Sequence, residues 1–222
     1  MSREGWKTYR LGDFLLFNPR ESIPKGAIAK KVAMEKLQPF TRMISGFEES
    51  AFSGGSKFRN GDTLLARITP CLENGKTAQV SILNKNEVGF GSTEFIVLRE
   101  REGLSDNNFV YYFTNTPWFR ETAILSMVGS SGRQRVQQDV LENIEVVLPE
   151  LNDQKSIAKI LSSLDDKIEL NNQINANLEQ QAQVIFKSWF IDFEPFKEGE
   201  FVESELGLIP KGWRVGKLSD IG

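Results

Sequence analysis

Apolar and polar positions alternate in short blocks through the first two thirds of the chain. Compact apolar runs bounded by Asn-Gly turns or by single glycines are typical of short strands. Three such runs predict strands at 62–68, 77–83 and 94–98. This part of the chain is therefore expected to contain sheet.

Helical patterns follow the three predicted strands. An aromatic stretch at 109–113 predicts a buried helix that is interrupted near Pro117. Residues 138–143 predict a further short helix, and 144–148 predict a last strand that ends at Pro149. Because strands and helices do not alternate regularly, the order indicates an α+β fold.

One long helix is predicted beyond this mixed region. The chain contains no glycine or proline from 153 to 192, and Asn152 or Asp153 can cap the helix start. Pro195 forces its end, since proline cannot continue a helix. About 39 residues at ~1.5 Å each give a rod of about 58 Å.

The long helix carries an apolar stripe with heptad spacing. Its positions follow steps of four and three residues, a pattern that favours a coiled coil. We predict dimerisation through this stripe: Ile157, Leu161, Leu164, Ile168, Asn171, Asn175, Leu178, Ala182, Ile185 and Trp189. Asn171 and Asn175 are polar at its centre, where buried asparagines set register and partner number. The alternative is that Ile174 takes over locally and the asparagines face solvent.

The end of the chain repeats its beginning. Gly, Trp, Leu and Asp recur in register between 5–14 and 212–221, 207 positions apart. Such a period matches a domain plus a connector and is too long for a solenoid repeat. We read one complete unit followed by the opening strand of a second, although a short string of this kind also recurs by chance.

Composition narrows the classes of function. The 222 residues are 40% hydrophobic and 26% charged, as in an ordinary soluble protein. No run approaches the ~18–20 apolar residues of a membrane span, and the start lacks a signal-peptide core. Cys71 is the only cysteine, so we expect a cytoplasmic protein without disulfides.

The chain contains no histidine. Histidine-dependent catalytic triads and metal sites are therefore excluded. No phosphate-binding loop or glycine-rich cofactor loop is present, and Glu73 with Lys76 is more typical of a polar turn. We interpret the chain as non-catalytic, with no metal or cofactor of its own.

Charge is distributed unevenly along the chain. Residues 1–148 carry a net charge of +2 and residues 149–222 carry −5. This balance argues against a nucleic-acid binder that relies on bulk charge, and leaves room for a localised or partner-assisted one.

Three polar loops are candidates for DNA contact: loop A (67–77), loop B (91–95) and loop C (128–138). Arginine and glutamine have the bidentate geometry that reads purine edges, and hydroxyl groups in glycine-rich loops suit phosphates. The predicted contacts are Arg67, Thr69, Asn74, Lys76, Ser92, Thr93, Ser130, Ser131, Arg133, Gln134 and Arg135. An ordinary solvated loop is the alternative for each.

Glu94 in loop B has three possible roles. It is a candidate cytosine contact, a structural acid or the start of a strand, and we favour a structural role.

Taken together, these motifs resemble the specificity subunit of type I restriction-modification enzymes. The resemblance spans almost the whole chain and rests on 6–13, the block Gly61-Asp62-Thr63-Leu64-Leu65-Ala66-Arg67-Ile68-Thr69-Pro70, 91–95, 129–136, 148–154 with Ile157, 164–171, Phe186-Lys187-Ser188-Trp189-Phe190 and the restart at Gly212.

The resemblance implies a target-recognition domain carried on a long helix. The expected division is a recognition domain at 1–149, the helix at 150–192, a linker at 193–211 and the start of a second repeat at 212–222. The usual subunit has two such copies, whose helices pack antiparallel and hold two DNA-reading domains apart. A half-length chain is expected to homodimerise and read a palindromic bipartite site.

The family also implies partners. Modification subunits bring the S-adenosylmethionine chemistry, and restriction subunits bring ATP- and Mg-dependent translocation and cleavage of double-stranded DNA. The competing hypothesis is a coiled-coil assembly module whose mixed domain binds protein without DNA specificity.

Overall fold

The computed structural model describes residues 5–217 and 219. Its strands are β1 (Lys7–Arg10), β2 (Leu15–Phe17), β3 (Ile28–Val32), β4 (Glu48–Ala51), β5 (Ser56–Phe58), β6 (Thr63–Ala66), β7 (Thr77–Gln79), β8 (Gly89–Gly91), β9 (Phe95–Glu100), β10 (Glu145–Leu148), β11 (Phe201–Ser204) and β12 (Gly207–Pro210). Its α-helices are α1 (Leu11–Phe14), α2 (Asn107–Thr114), α3 (Pro117–Leu125), α4 (Gln138–Asn143) and α5 (Leu151–Phe186). The chain divides into two compact units, Met1–Asp165 and Asp166–Gly222.

Two four-stranded sheets form the frame of the first unit. One is antiparallel throughout, with the order β2-β9-β6-β7. The other has the order β4-β3-β8-β5 and contains one parallel pair, β3 with β8. A separate two-stranded ladder pairs β1 with β10 and so joins the start of the unit to the residues before α5.

The two central strands of the first sheet, β6 and β9, separate two cores. Side chains alternate between the faces of a strand. Leu65 and Ile96 therefore pack with α2 and α3 in one core, and Leu64 and Val97 pack towards the second sheet in the other. All four residues of β6 are buried, which explains why three of them, Leu64, Leu65 and Ala66, are apolar.

The start of α5 belongs to the first unit. The side chain of Gln154 is buried; its Oε1 accepts from Asp106 N at 3.0 Å, and its Nε2 donates to the carbonyls of Leu104 and Pro149. Ala158 is buried in the same core, and Tyr112 Oη donates to Asp165 Oδ2 at 2.6 Å. No helix in the described part of the chain has the length and apolar character needed to cross a membrane.

The predicted elements are largely present. Helix α4 occupies the predicted residues. Strands β6, β7 and β10 are shorter than predicted, whereas β9 begins one residue later than predicted and extends two residues further. Pro117 begins α3, where its missing N–H costs nothing, and Thr116 Oγ1 caps the helix by accepting from Phe119 N at 3.3 Å. The α+β prediction is confirmed.

The boundaries of the long helix differ from the prediction. Helix α5 begins at Leu151, so Asn152 and Asp153 lie inside its first turn and do not cap it. Its α-helical hydrogen bonding ends at Phe186, and a π-helical segment, Lys187–Ile191, continues it. This segment contains the aromatic residues Trp189 and Phe190.

The second unit contains more regular structure than the predicted linker. A 3₁₀ turn, Glu194–Phe196, and the antiparallel hairpin of β11 and β12 lie within 193–211. The predicted opening strand of a second repeat is not formed at 213–217, which have no strand structure. Residues 218 and 220–222, which complete that prediction, lie outside the described residues.

Candidate nucleic-acid interface

Backbone hydrogen bonds hold loops A, B and C together on the first unit. Arg67 N in loop A donates to Glu94 O in loop B at 2.9 Å. Val136 N in loop C donates to Arg67 O at 2.8 Å, and Thr69 N donates to Gln134 O at 3.1 Å. Loop A is therefore bonded to both of the other loops, although the three lie far apart in sequence.

Loop C is a closed, polar protrusion. Val128 and Arg135 exchange two backbone hydrogen bonds of 3.0 and 2.9 Å, which close its base. Gly129 has φ +134° and Gly132 has φ +77°, conformations that favour glycine. At the tip, Ser130, Ser131 and Arg133 are exposed, so their polar groups are accessible to a ligand.

An ion pair joins loop C to loop B. Arg135 donates from Nε to both carboxylate oxygens of Glu94 at 3.0 Å and from Nη2 to Oε1 at 2.6 Å. The hydrogen bond from Arg135 lowers the pKa of Glu94. Glu94 thus has the structural contact that its sequence context favours, and Arg135 must leave this partner before it can read a base edge with the same groups.

Loop A is fixed from below by a buried arginine. Arg120 Nη2 donates to the carbonyls of Leu72 and Glu73 at 3.0 and 3.2 Å. Its guanidinium lies 4.7 Å from the ring centroid of Phe40, which in turn lies over Gly75. Arg120 therefore positions the turn of loop A, while the turn's outer residues Glu73 and Asn74 stay exposed.

Several predicted contact residues have partners within the protein. Arg67 Nη2 donates to Val136 O at 3.0 Å, and Lys76 Nζ donates to Met34 O at 3.1 Å. Ser92 Oγ accepts from Glu94 N at 3.1 Å, and the buried Oγ1 of Thr69 has no hydrogen-bond partner within the described residues. Arg67, Lys76 and Ser92 therefore support the loops through these bonds, whereas the Thr69 hydroxyl does not. Contact of these four residues with DNA remains a prediction.

The remaining predicted residues are better placed for a ligand. Asn74, Thr93, Ser130, Ser131 and Arg133 are exposed, and Gln134 is half-buried beside them in sequence. The structure thus divides the predicted set into an inner, supporting group and an outer, accessible group.

A polar cleft of about 520 Å³ adjoins loop B. Thr93 lines it together with Arg20 and Lys57, and Glu21 in its wall is paired with Arg59 and Arg99. Hydroxyl and cationic groups at the edge of a reading surface suit phosphate oxygens. Within the described residues, no group of acidic or cysteine side chains is arranged to hold a metal ion.

Sequence reasoning missed Asn18, Phe40 and Arg120. Asn18 Nδ2 donates to Gln138 Oε1 at 2.6 Å, and its Oδ1 accepts from Val97 N at 2.9 Å. The partners of these residues are distant in sequence, so no local pattern marks them.

We expect Glu94→Gln to weaken the link between loops B and C in a pH-dependent way. Because Arg135 lowers the pKa of Glu94, the stabilisation exists above the ordinary glutamate pKa and is lost as pH falls through the lowered pKa. The difference in unfolding free energy between wild type and variant should be small at pH 7, since Arg135 is exposed, and should vanish in acid. Urea denaturation over a pH series measures it.

The matched control is Glu73→Gln, which removes an exposed carboxylate from loop A. It should leave stability unchanged across the series. A Glu94→Gln effect that does not vary with pH would contradict the ion-pair explanation.

Comparisons with known proteins identify the family. The type I restriction modification DNA specificity domain matches residues 3–180. The specificity subunit of type I restriction enzyme MjaVIII from Methanocaldococcus jannaschii is 28% identical over 222 residues, covering 98% of this chain and 49% of that protein. The MjaIX specificity subunit of the same organism is 40% identical over 117 residues, 52% of this chain and 27% of that protein.

A solved structure has the same fold. The crystal structure of the HsdS subunit from Thermoanaerobacter tengcongensis superimposes with a TM-score of 0.62 at 18% identity, over 95% of this chain and 53% of that one. The chain therefore spans about half the length of the relatives that it matches throughout. The resemblance seen in the sequence motifs is confirmed, and the chain belongs to the family of type I restriction-modification DNA specificity domains.

Proposed function

We propose that this chain is a non-catalytic subunit that reads DNA sequence for a type I restriction-modification complex. The observation that carries the proposal is the convergence of loops A, B and C, whose backbones are bonded to one another. A surface that distinguishes bases must hold its side chains in fixed register, and this bonding supplies that rigidity.

Loop C is the proposed base-reading element. Arg133 is exposed at its tip and has no ion pair or side-chain hydrogen bond within the described residues, so its guanidinium is available for a guanine edge. Gln134 follows it and suits adenine. The cleft beside Thr93, with Arg20 and Lys57, is proposed to hold phosphate and so fix the register of the duplex.

The partners follow from the family. Double-stranded DNA, a modification subunit carrying S-adenosylmethionine and a restriction subunit using ATP and Mg are the proposed partners, with action in the cytoplasm. The modest charge of this chain supports such an assembly, because partner subunits then supply most of the phosphate neutralisation.

We further propose that two copies associate through the stripe of α5 and read the two halves of a palindromic bipartite target. Leu164, Ile168, Leu178 and Ile185 are each more than half exposed, which is unfavourable for an isolated helix. The first stripe residue, Ile157, packs on the core of its own unit, so the proposed interface begins after it. A two-fold pairing of such stripes is self-complementary.

The test is methylation mapping of DNA exposed to this chain together with a modification subunit. A symmetric bipartite motif is expected. Arg133→Ala should reduce methylation at that motif at least about fivefold, since one bidentate base contact contributes ~1–3 kcal/mol of discrimination.

Lys85→Ala is the control, because it removes an exposed positive charge outside the three loops. It should leave methylation of the motif unchanged. If the complex methylates no defined motif while the chain still dimerises, the alternative of an assembly module without DNA specificity is correct. If the motif appears but Arg133→Ala preserves it, loop C is not the reading element.

A further inference from the structure

Three phenylalanines in the second unit form an aromatic cage around Trp213. The centroid of the Trp213 ring lies 5.8 Å from that of Phe190, 5.5 Å from that of Phe193 and 5.4 Å from that of Phe196. The last two contacts are edge-to-face, an arrangement that aromatic pairs prefer. We use the term aromatic cage for Phe190, Phe193 and Phe196.

The residue in the cage is the repeat counterpart of Trp6. Trp213 lies 207 positions after Trp6, and both follow glycine and precede a cation, Lys7 or Arg214. The two tryptophans thus occupy the same position at the opening of their repeats.

Trp6 has no such cage in its own unit. It is 37% exposed, and within the described part of the first unit no aromatic ring stacks on it. It lines an open apolar cleft of about 650 Å³ together with Trp118, Ile157 and Leu161. This cleft is continuous with the stripe, because Ile157 and Leu161 begin it.

The backbone that follows Trp213 is not part of a sheet. Residues 214–217 form no strand, whereas their counterparts in the first repeat form β1 and pair with β10. The Trp213 backbone contributes one hydrogen bond, from its N to Pro210 O at 3.0 Å. Trp213 is itself 36% exposed, so a similar side chain can replace it without disrupting a buried core.

We propose that the aromatic cage receives Trp6 of a second copy, and that Trp213 fills the cage in the unpaired chain. The proposal rests on the homodimer proposed above. In a two-copy assembly, the second copy takes the place of the unit that would begin at Gly212, so its Gly5-Trp6 opening takes the place of Gly212-Trp213. Dimerisation then requires Trp213 to leave.

Charge supports the same occupant. Residues 193–211 carry five glutamates and two lysines. Glu194 and Glu200 pair with those lysines, leaving three exposed carboxylates. The strand that follows Trp6, β1, presents exposed Lys7 and Arg10 and no acidic residue. An opening strand of this charge is attracted to the acidic segment beside the cage.

The proposal predicts opposite effects of two tryptophan substitutions. Trp213→Ala removes the competitor. If each cage is open about a tenth of the time, and both cages must open in a two-fold dimer, the dimer dissociation constant should fall about 100-fold. Trp6→Ala removes the guest and should raise the constant about tenfold or more. Trp213→Ala in a Trp6→Ala background should bring no gain, because the cage then has no guest to admit. Sedimentation equilibrium of the full chain measures all four forms.

Matched variants separate exchange from misfolding. Leu206→Ala, an exposed apolar residue between β11 and β12, should leave dimerisation unchanged. Trp213→Phe keeps a ring and should give less gain than Trp213→Ala, with circular dichroism confirming an intact fold in each variant.

Any of the following outcomes overturns the proposal. If Trp213→Ala weakens dimerisation or leaves it unchanged, Trp213 does not compete for the cage; an equal gain in the Trp6→Ala background means that the guest is not Trp6. If all four forms remain monomeric, both this proposal and the homodimer fail. If acidic substitutions in the stripe abolish the wild-type dimer while Trp213→Ala leaves its dissociation constant unchanged, the homodimer proposal stands and only this proposal is overturned.

Discussion

Arg99→Met is expected to lower the free energy of unfolding by about 3–5 kcal/mol at neutral pH, the usual cost of removing one member of a buried ionic network. Arg99 Nε donates to Asp62 Oδ1 at 2.6 Å and Nη2 donates to Oδ2 at 2.8 Å, while Nη1 donates to Glu21 Oε1 at 2.7 Å. Asp62 and Glu21 have side-chain exposures of only 1% and 4%. Without Arg99, the buried Asp62 carboxylate loses its guanidinium partner, and Glu21 loses one of its two and keeps Arg59.

The expected pH dependence of this effect is specific. The hydrogen bond to Asp62 is the largest cause of a raised pKa of Arg99. The stabilisation linked to a raised pKa is fully present below the ordinary arginine pKa and is lost only as pH rises beyond it. The range from pH 6 to 9 lies ~3 units or more below the ordinary arginine pKa, so Arg99 stays charged throughout it. Titration of Arg99 should therefore not change the loss of unfolding free energy caused by Arg99→Met over this range.

Urea denaturation of wild type and two variants tests the network. Arg59→Met is the control, because Arg59 is half-exposed and, among the described residues, its side chain bonds only Glu21, at 2.7 Å. Its loss should be about 1 kcal/mol or less. Adding Asp62→Asn and Glu21→Gln to Arg99→Met should recover part of the stability. An Arg99→Met loss no larger than that of Arg59→Met would contradict the network's structural role.

The paired substitution Leu164→Asp with Ile168→Asp is expected to weaken dimerisation more than about 100-fold. Each side chain is more than half exposed in the single chain, so the variant should fold normally. In the proposed dimer both positions leave water, and an unpaired carboxylate is strongly disfavoured there because it loses its hydration without acquiring a cation. Methylation of the bipartite motif should fall in parallel, because each copy then holds one half-site.

The control places the same charges on the opposite face of the helix. The control variant is Gln173→Asp with Gln180→Asp. At ~100° per residue, both positions lie about half a turn around the helix axis from Leu164. Sedimentation and methylation assays on both double variants test whether α5 associates through the stripe. Equal behaviour of the two would show that α5 does not associate through this stripe.

Much of the fold follows from local sequence, as α4 and the apolar core of β6 illustrate. The second sheet does not, because its strands are short and contain residues of low strand propensity. Strand β8 is Gly89-Phe90-Gly91, and a Cβ at Gly91 would lie 2.5 Å from Val32 O. The close approach of β3 thus requires glycine at position 91, although glycine has a low propensity for strands.

The candidate site was predictable in outline only. Loops A and C are marked by their own polar and glycine residues, whereas their pairing depends on bonds such as that between Arg67 and Val136, 69 positions apart. The role of Arg120 beneath loop A is likewise set by packing. Local sequence patterns therefore indicate which loops can contact a ligand, but they do not indicate which side chains hold those loops in place.

The burial of Gln154 and Ala158 also determines where recognition modules can be exchanged between related chains. Pro149 looks like the natural joint, since the mixed region ends there. A chimera joined at Pro149 would take the helix start from the second chain, and it would keep the three hydrogen bonds of the Gln154 amide only where that chain also has glutamine. We therefore expect a chimera joined after Asp165, where the first compact unit ends, to preserve the packing of this domain on the start of its helix.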